Sequence, residues 1–120
     1  SLVAREPMDM LTISSTLRAG LSALTRTQSN QLAQYGITVN AVLPGHIMTD
    51  RQIELNKARA EKTGLSFEEV VKQAEQQIPA RRFGKPEEIG DAVAFLCSER
   101  AAYISGVSLL VDGGIVRGTF

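Results

Sequence analysis

Apolar residues recur at helical spacing through the first third of the chain. Ile13, Leu17, Leu21 and Leu24 are separated by four, four and three positions, which puts them on one face of a helix predicted from about Leu11 to Gln34. Gly36 is the expected stop of that helix. The residues before it, 1–10, read as a loop punctuated by Pro7 and Asp9. Ile37–Leu43 is short, mostly apolar and β-branched, the pattern of a buried strand, and Pro44-Gly45 ends it. A weaker helical pattern covers Gln52–Lys62 and breaks at Thr63-Gly64. Ser66 and Glu69 have capping-box spacing, and Phe67, Val70, Val71, Ala74 and Ile78 form the apolar stripe of the helix they open, closed by Pro79. Residues 80–85 form a basic loop containing glycine. Pro86 suits a helix first turn, with Glu87 and Glu88 near its positive end and Ile89, Ala92, Val93 and Leu96 as the buried face. Ser105-Gly106 makes a turn, Val107–Val111 a second strand, and Asp112-Gly113-Gly114 its end.

Two apolar strands separated by helical segments predict parallel strands of an α/β sheet. Two strands alone do not make a sheet with both faces covered, so the pattern reads as the end of a larger domain.

Composition narrows the partners. Thirteen Lys and Arg balance thirteen Asp and Glu, which argues against a nucleic-acid binder working by bulk positive charge. At 43% hydrophobic and 22% charged residues, the chain is not a disordered tail. The longest apolar run, Ala92–Cys97, has six residues against the roughly 20 of a membrane helix, so no membrane partner is expected. The single cysteine, Cys97, offers neither an internal disulfide nor a cysteine-rich metal site, and a reducing, cytoplasmic setting is the default.

Short motifs carry the rest. Arg18-Ala-Gly-Leu-Ser-Ala-Leu-Thr-Arg26, Gly36-Ile-Thr-Val-Asn-Ala-Val-Leu-Pro-Gly45, Thr49-Asp50, Arg82-Phe-Gly-Lys-Pro-Glu-Glu-Ile89, Ala94–Glu99, Ser105-Gly106 and Val111-Asp-Gly-Gly114 follow one another in the order seen in one family. In these residues the chain resembles the short-chain dehydrogenase/reductases over nearly its whole length, most of all those of the 3-oxoacyl-carrier-protein reductase type. The resemblance implies the C-terminal part of a Rossmann-type, doubly wound parallel sheet that binds NAD or NADP. Residues 1–120 are then the C-terminal portion of one such domain. The glycine-rich turn for the pyrophosphate and the residue that selects between the two cofactors belong to the N-terminal half of such a domain. The implied reaction is reversible hydride transfer between the nicotinamide and a small-molecule carbonyl or secondary alcohol, in a homodimer or homotetramer.

The family's catalytic core is a Ser, a Tyr thirteen residues later and a Lys four beyond that. Ser1 and Ser14 have the first spacing and Arg18 has the second. Ser1 thus matches the family Ser, Ser14 stands where the Tyr belongs, and Arg18 where the Lys belongs. A phenol titrates near pH ~10 and a neighbouring cation favours its ionised form. A serine hydroxyl is a weaker acid with a shorter reach. Arg18 keeps the charge and offers donors for a nicotinamide ribose hydroxyl. Without the family match, Ser14 and Arg18 read as a solvated helix face, and with it they line the cleft.

Pro44-Gly45-His-Ile-Met-Thr49 matches the family's nicotinamide loop, in which the backbone at Ile47 and the Thr49 hydroxyl bond the carboxamide. Thr49 also suits a helix N-cap, and the two roles are compatible. His46, at the C-terminal end of a strand where open α/β sheets place ligands, is an alternative proton donor or a plain loop histidine. Tyr35 lies 17 positions beyond Arg18, about 25 Å along a helix at ~1.5 Å per residue, and is excluded as the acid. Tyr103 reads as a packing residue, Asn40 as a fold-supporting polar group, Glu87-Glu88 as a helix-start charge pair and Arg81-Arg82 as solvated. A family member that has lost catalysis and serves as a cofactor-binding or partner subunit is the competing reading, supported by Ser14. A small interaction module made of these residues alone is a third, disfavoured by the half-sheet.

Overall fold

The computed structural model describes residues 1–7 and 9–118. The first long element is α1, Thr12–Leu32. It runs on through a 3-10 turn at Ala33–Tyr35 and stops at Gly36, whose φ of 71° is a left-handed geometry that costs a glycine little. After it come β1 (Ala41–Pro44), α2 (Asp50–Thr63), α3 (Phe67–Gln76), α4 (Pro86–Leu96) and β2 (Ser108–Val111). The strands pair in parallel, Ala41 with Ser108 through Pro44 with Val111. All three helices between them belong to a crossover joining neighbouring strands, as parallel pairing requires.

Several boundaries move for local reasons. The stretch expected to be a loop, 1–10, holds a 3-10 turn at Leu2–Ala4 and the start of another at Asp9–Leu11, with residue 8 outside the described residues. Leu2 and Val3 are buried, and their turn packs on both α1 and β1. The first strand is shorter than Ile37–Leu43, since residues 37–40 lack ladder pairing. There the hydrogen bonds go elsewhere: the Val39 N–H donates to Ser105 Oγ at 3.2 Å, and Gly106 N–H to the Val39 carbonyl at 2.7 Å. Asn40 closes this junction as expected. Its Nδ2 donates to the Ile104 carbonyl at 2.8 Å and its Oδ1 accepts from Val107 N–H at 3.1 Å. The capping box at Ser66 forms with both bonds, 3.2 Å from Glu69 N–H to Ser66 Oγ and 2.8 Å from Ser66 N–H to Glu69 Oε2.

Apolar cover is thin. The buried apolar residues among those described are Leu2, Val3, Leu43, Val70, Ile78, Phe83 and Ala101. Ile13, Leu17, Leu21 and Leu24 do share one face of α1, but they are 77%, 69%, 56% and 49% exposed. The expected buried face of α4 is only partly covered too, with Val93 exposed and no residue of the helix fully buried. Tyr103 is fully exposed, not packed. The radius of gyration is 16.6 Å, against ~14 Å for a compact 120-residue domain. The residues that α1 buries are Ser15, Thr25 and Ser29, on the side away from its apolar stripe, so periodicity marks the apolar face of the helix and not the buried one. These elements are part of a Rossmann-type α/β fold.

Candidate functional site

The sequence-predicted residues fall in two clusters, one on α1 and one at the C-terminal end of β1. The first is on α1. Ser14 and Arg18 are one helical turn apart, and the Arg18 Nε donates to Ser14 Oγ at 3.2 Å. Ser14 is half-buried and Arg18 exposed. Ser1 is the N-cap of the turn packed against α1. Ser14 and Arg18 are thus in direct contact, and Ser1 precedes the turn that packs on the same helix. Ser15, beside Ser14, is buried with no hydrogen-bond partner for its hydroxyl. Spacing did not single it out, because a serine one position from a matched residue carries no signal of its own.

The second cluster is the turn at the C-terminal end of β1. Gly45 N–H extends the ladder by donating to the Val111 carbonyl at 3.0 Å. A Cβ at Gly45 would sit 2.6 Å from both Cα and Cβ of Asp112, so only glycine fits between the two strand ends. Asp112 is itself fixed, its carboxylate accepting from Gly114 N–H at 2.9 Å and Val116 N–H at 3.0 Å. Pro44 is the last residue of the strand and Thr49 the N-cap of α2. The Thr49 hydroxyl accepts from Gln52 N–H at 3.3 Å, which leaves its own proton free to donate. Ile47 accepts Thr49 N–H at 2.9 Å on its carbonyl, which retains a second lone pair. The capping role of Thr49 is thus realised, and the groups suited to a carboxamide stay available.

A third segment, the glycine-containing loop of the Arg82–Ile89 motif, holds this turn, a contact its local pattern does not signal. Gly84 forms a parallel bridge with Ile47: its N–H donates to the His46 carbonyl and its carbonyl accepts Met48 N–H, each at 2.9 Å. Ile47 Cδ1 would lie 2.6 Å from a Cβ at Gly84. Arg82 is not merely solvated. It grips Glu88 in a two-pronged ion pair, NH1 to Oε2 at 2.7 Å and NH2 to Oε1 at 2.6 Å. Glu88 also accepts from Lys85 N–H at 2.7 Å, so it is more than a helix-start charge. The available signal was the three-residue step from Lys85 to Glu88 around Pro86, the spacing of a carboxylate that reaches back to cap its own helix. The hollow lined by His46, Ile47, Arg82, Gly84, Glu88 and Asp112 measures about 80 Å³. Ligand pockets run to ~300–1,000 Å³, so this hollow by itself is too small for a dinucleotide. His46 is exposed, with its ring edge-on to Phe83 at 6.3 Å and 85°.

Arg82 and the Lys85 N–H together hold the Glu88 carboxyl at a pKa of about 2, well below an ordinary carboxylate. Glu88 therefore contributes stability above pH ~4.5, lost as the pH falls through about 2. The stability deficit of Glu88→Gln, measured by urea unfolding, is expected to be constant above pH ~5 and to shrink steadily below ~4.5. A deficit independent of pH would show that the charge of Glu88 contributes nothing.

Among the described residues there is no helix long and apolar enough to cross a membrane, and no cluster of His, Cys, Asp and Glu able to hold a metal ion.

A family model described as enoyl-(acyl carrier protein) reductase matches residues 1–116. The 3-oxoacyl-[acyl-carrier-protein] reductase of Aquifex aeolicus is 42% identical over 101 residues, 84% of this chain and 36% of that protein. Glucose 1-dehydrogenase 2 of Bacillus subtilis is 39% identical over 101 residues, 84% of this chain and 35% of its own. Among solved structures, L-sorbose reductase from Gluconobacter frateurii, complexed with NADPH and L-sorbose, superposes with a TM-score of 0.92 at 30% identity, covering 98% of this chain and 45% of that one. A short chain dehydrogenase family protein from Francisella tularensis gives 0.89 at 30% identity, covering 96% and 48%. The chain spans about a third of the length of the curated relatives it matches. With residues 1–116 matched and its motifs in the family's order, the chain belongs to the short-chain dehydrogenase/reductase family.

Proposed function

We propose that this chain is the C-terminal portion of an NAD(P)-dependent oxidoreductase that interconverts a small carbonyl compound and its secondary alcohol. The observation that carries the reading is the turn Pro44–Thr49: it stands at the C-terminal end of a parallel strand and presents the Ile47 backbone and a half-used Thr49 hydroxyl. These groups fit a carboxamide, which needs a donor and an acceptor side by side. When bound, the nicotinamide supplies or takes the hydride. The chain's own residues bind and orient. Ile47 and Thr49 hold the carboxamide, and Arg18 bonds a ribose hydroxyl. Gly45 lets the turn approach Asp112 closely enough to keep both in place. Ser1 and Ser14 line the substrate side, and Ser14 or His46 passes the proton to the substrate oxygen. NAD-versus-NADP selection belongs to the N-terminal half of the domain. The 3-oxoacyl reductase relative favours a 3-oxoacyl-type substrate. The segment 50–83 acts as a lid over it. The exposed α1 stripe at Ile13, Leu17, Leu21 and Leu24 fits a homodimer or homotetramer, and the lone Cys97 fits the cytoplasm.

Thr49→Val keeps the shape and removes the hydroxyl. A neutral hydrogen bond is worth roughly 0.5–1.5 kcal/mol, so cofactor affinity in the whole protein is expected to fall from a few-fold to about tenfold. Titration of nicotinamide fluorescence reads this directly. Unchanged affinity assigns Thr49 to capping α2 alone.

The competing reading, a cofactor-binding or partner subunit without catalysis, is favoured by one observation. Ser14 Oγ faces Arg18 where an acidic phenol would serve.

A further inference from the structure

The Pro44–Thr49 turn has few attachments of its own. Its apolar residue, Ile47, is only partly buried, and His46 and Thr49 are exposed. Two backbone bonds, both to Gly84, tie its middle to the rest of the molecule. Gly84 sits inside a seven-residue stretch whose ends are joined by the Arg82–Glu88 pair. Arg82 NH1 also donates to the Phe83 carbonyl at 3.1 Å, and Glu88 accepts Lys85 N–H, so the peptide units on both sides of Gly84 are gripped. Phe83 anchors the same stretch by being buried.

We propose that the Arg82–Glu88 pair is a positioning clamp: by fixing the peptide units around Gly84, it sets the position of the Ile47–Thr49 backbone that receives the cofactor. The inference rests on the nicotinamide-loop reading above. Neither Arg82 nor Glu88 touches the cofactor in this account. A guanidinium held by both prongs in one plane fixes direction as well as distance, which a lysine ammonium cannot reproduce. The pair is partly exposed, 53% and 37% for the two side chains, so its role lies in geometry more than in stability. The small hollow between the clamp and the turn leaves Ile47 room to shift once Gly84 is released.

The test compares Arg82→Ala, Arg82→Lys and Thr49→Val in the whole protein. Backbone hydrogen exchange is followed without cofactor, and NADH or NADPH affinity and the KM of the carbonyl substrate are then measured. In Arg82→Ala, the Gly84 and Met48 amides are expected to exchange about tenfold faster or more, while amides of α3 around Val70 stay protected. Cofactor Kd is expected to rise about tenfold, with the substrate KM changed less than twofold. Arg82→Lys keeps the charge and the fold and is expected to fall between. Unchanged cofactor affinity in Arg82→Ala beside weakened affinity in Thr49→Val overturns the clamp and leaves the loop reading standing. Unchanged affinity in both variants removes the loop reading and the clamp with it. Weaker affinity without faster exchange at Gly84 and Met48 also overturns the clamp, because the loss then arises elsewhere. Faster exchange spread equally into α3, in Arg82→Lys as well, reduces the pair to a general stabilising contact and overturns the positioning role.

Discussion

The double variant Ser14→Tyr with Arg18→Lys is expected to raise turnover of a generic ketone or β-ketoester by about 10²–10⁴-fold in the whole protein, the usual contribution of a positioned acid or base. The two residues already face each other one helical turn apart, with Arg18 Nε 3.2 Å from Ser14 Oγ. A phenol at position 14 would extend beyond the helix surface, where the short serine side chain ends. A lysine at position 18 would favour the ionised phenol and still reach a ribose hydroxyl. Single-turnover kinetics with bound cofactor separates the proton step from binding. If the double variant stays as slow as the parent while binding NAD(P), proton supply at position 14 is not the limit. If the parent is already fast, His46→Gln decides whether the exposed histidine is the acid. Fast turnover that survives that change removes both assignments.

Gly45→Ala is expected to destabilise the protein by about 1–3 kcal/mol, the range for overpacking a filled site, and to weaken cofactor binding with it. The added methyl would lie 2.6 Å from the Asp112 Cα, a backbone atom that cannot swing aside like a side-chain tip. Relief requires the ends of β1 and β2 to part, which stretches the Gly45–Val111 bond of 3.0 Å and moves the turn carrying Ile47. Gly20→Ala is the control, because a Cβ there meets nothing within 4 Å. Urea unfolding of both variants checks the result. Equal stability of Gly45→Ala and the parent would mean that the strand ends separate without cost.

The sequence alone determined the local elements and their chemical order. Apolar spacings of four, four and three placed α1, short apolar runs placed both strands near their observed positions, and Ser66 with Glu69 gave a capping box that forms with both bonds. It also put Ser14 and Arg18 on one helix face and Thr49 at an N-cap, because these depend on residues within a single turn of chain. What only the tertiary structure decided are contacts between residues far apart in sequence. Gly45 against Asp112 and Ile47 against Gly84 are close approaches that local patterning does not encode. Arg82 looked solvated because a loop arginine carries no local sign of its partner, yet the turn at Gly84 brings it onto Glu88. Burial was the other decision. Periodicity says which side of a helix is apolar, but the exposure of Ile13, Leu17, Leu21 and Leu24 depends on what packs against them, and burial of apolar area requires a second surface.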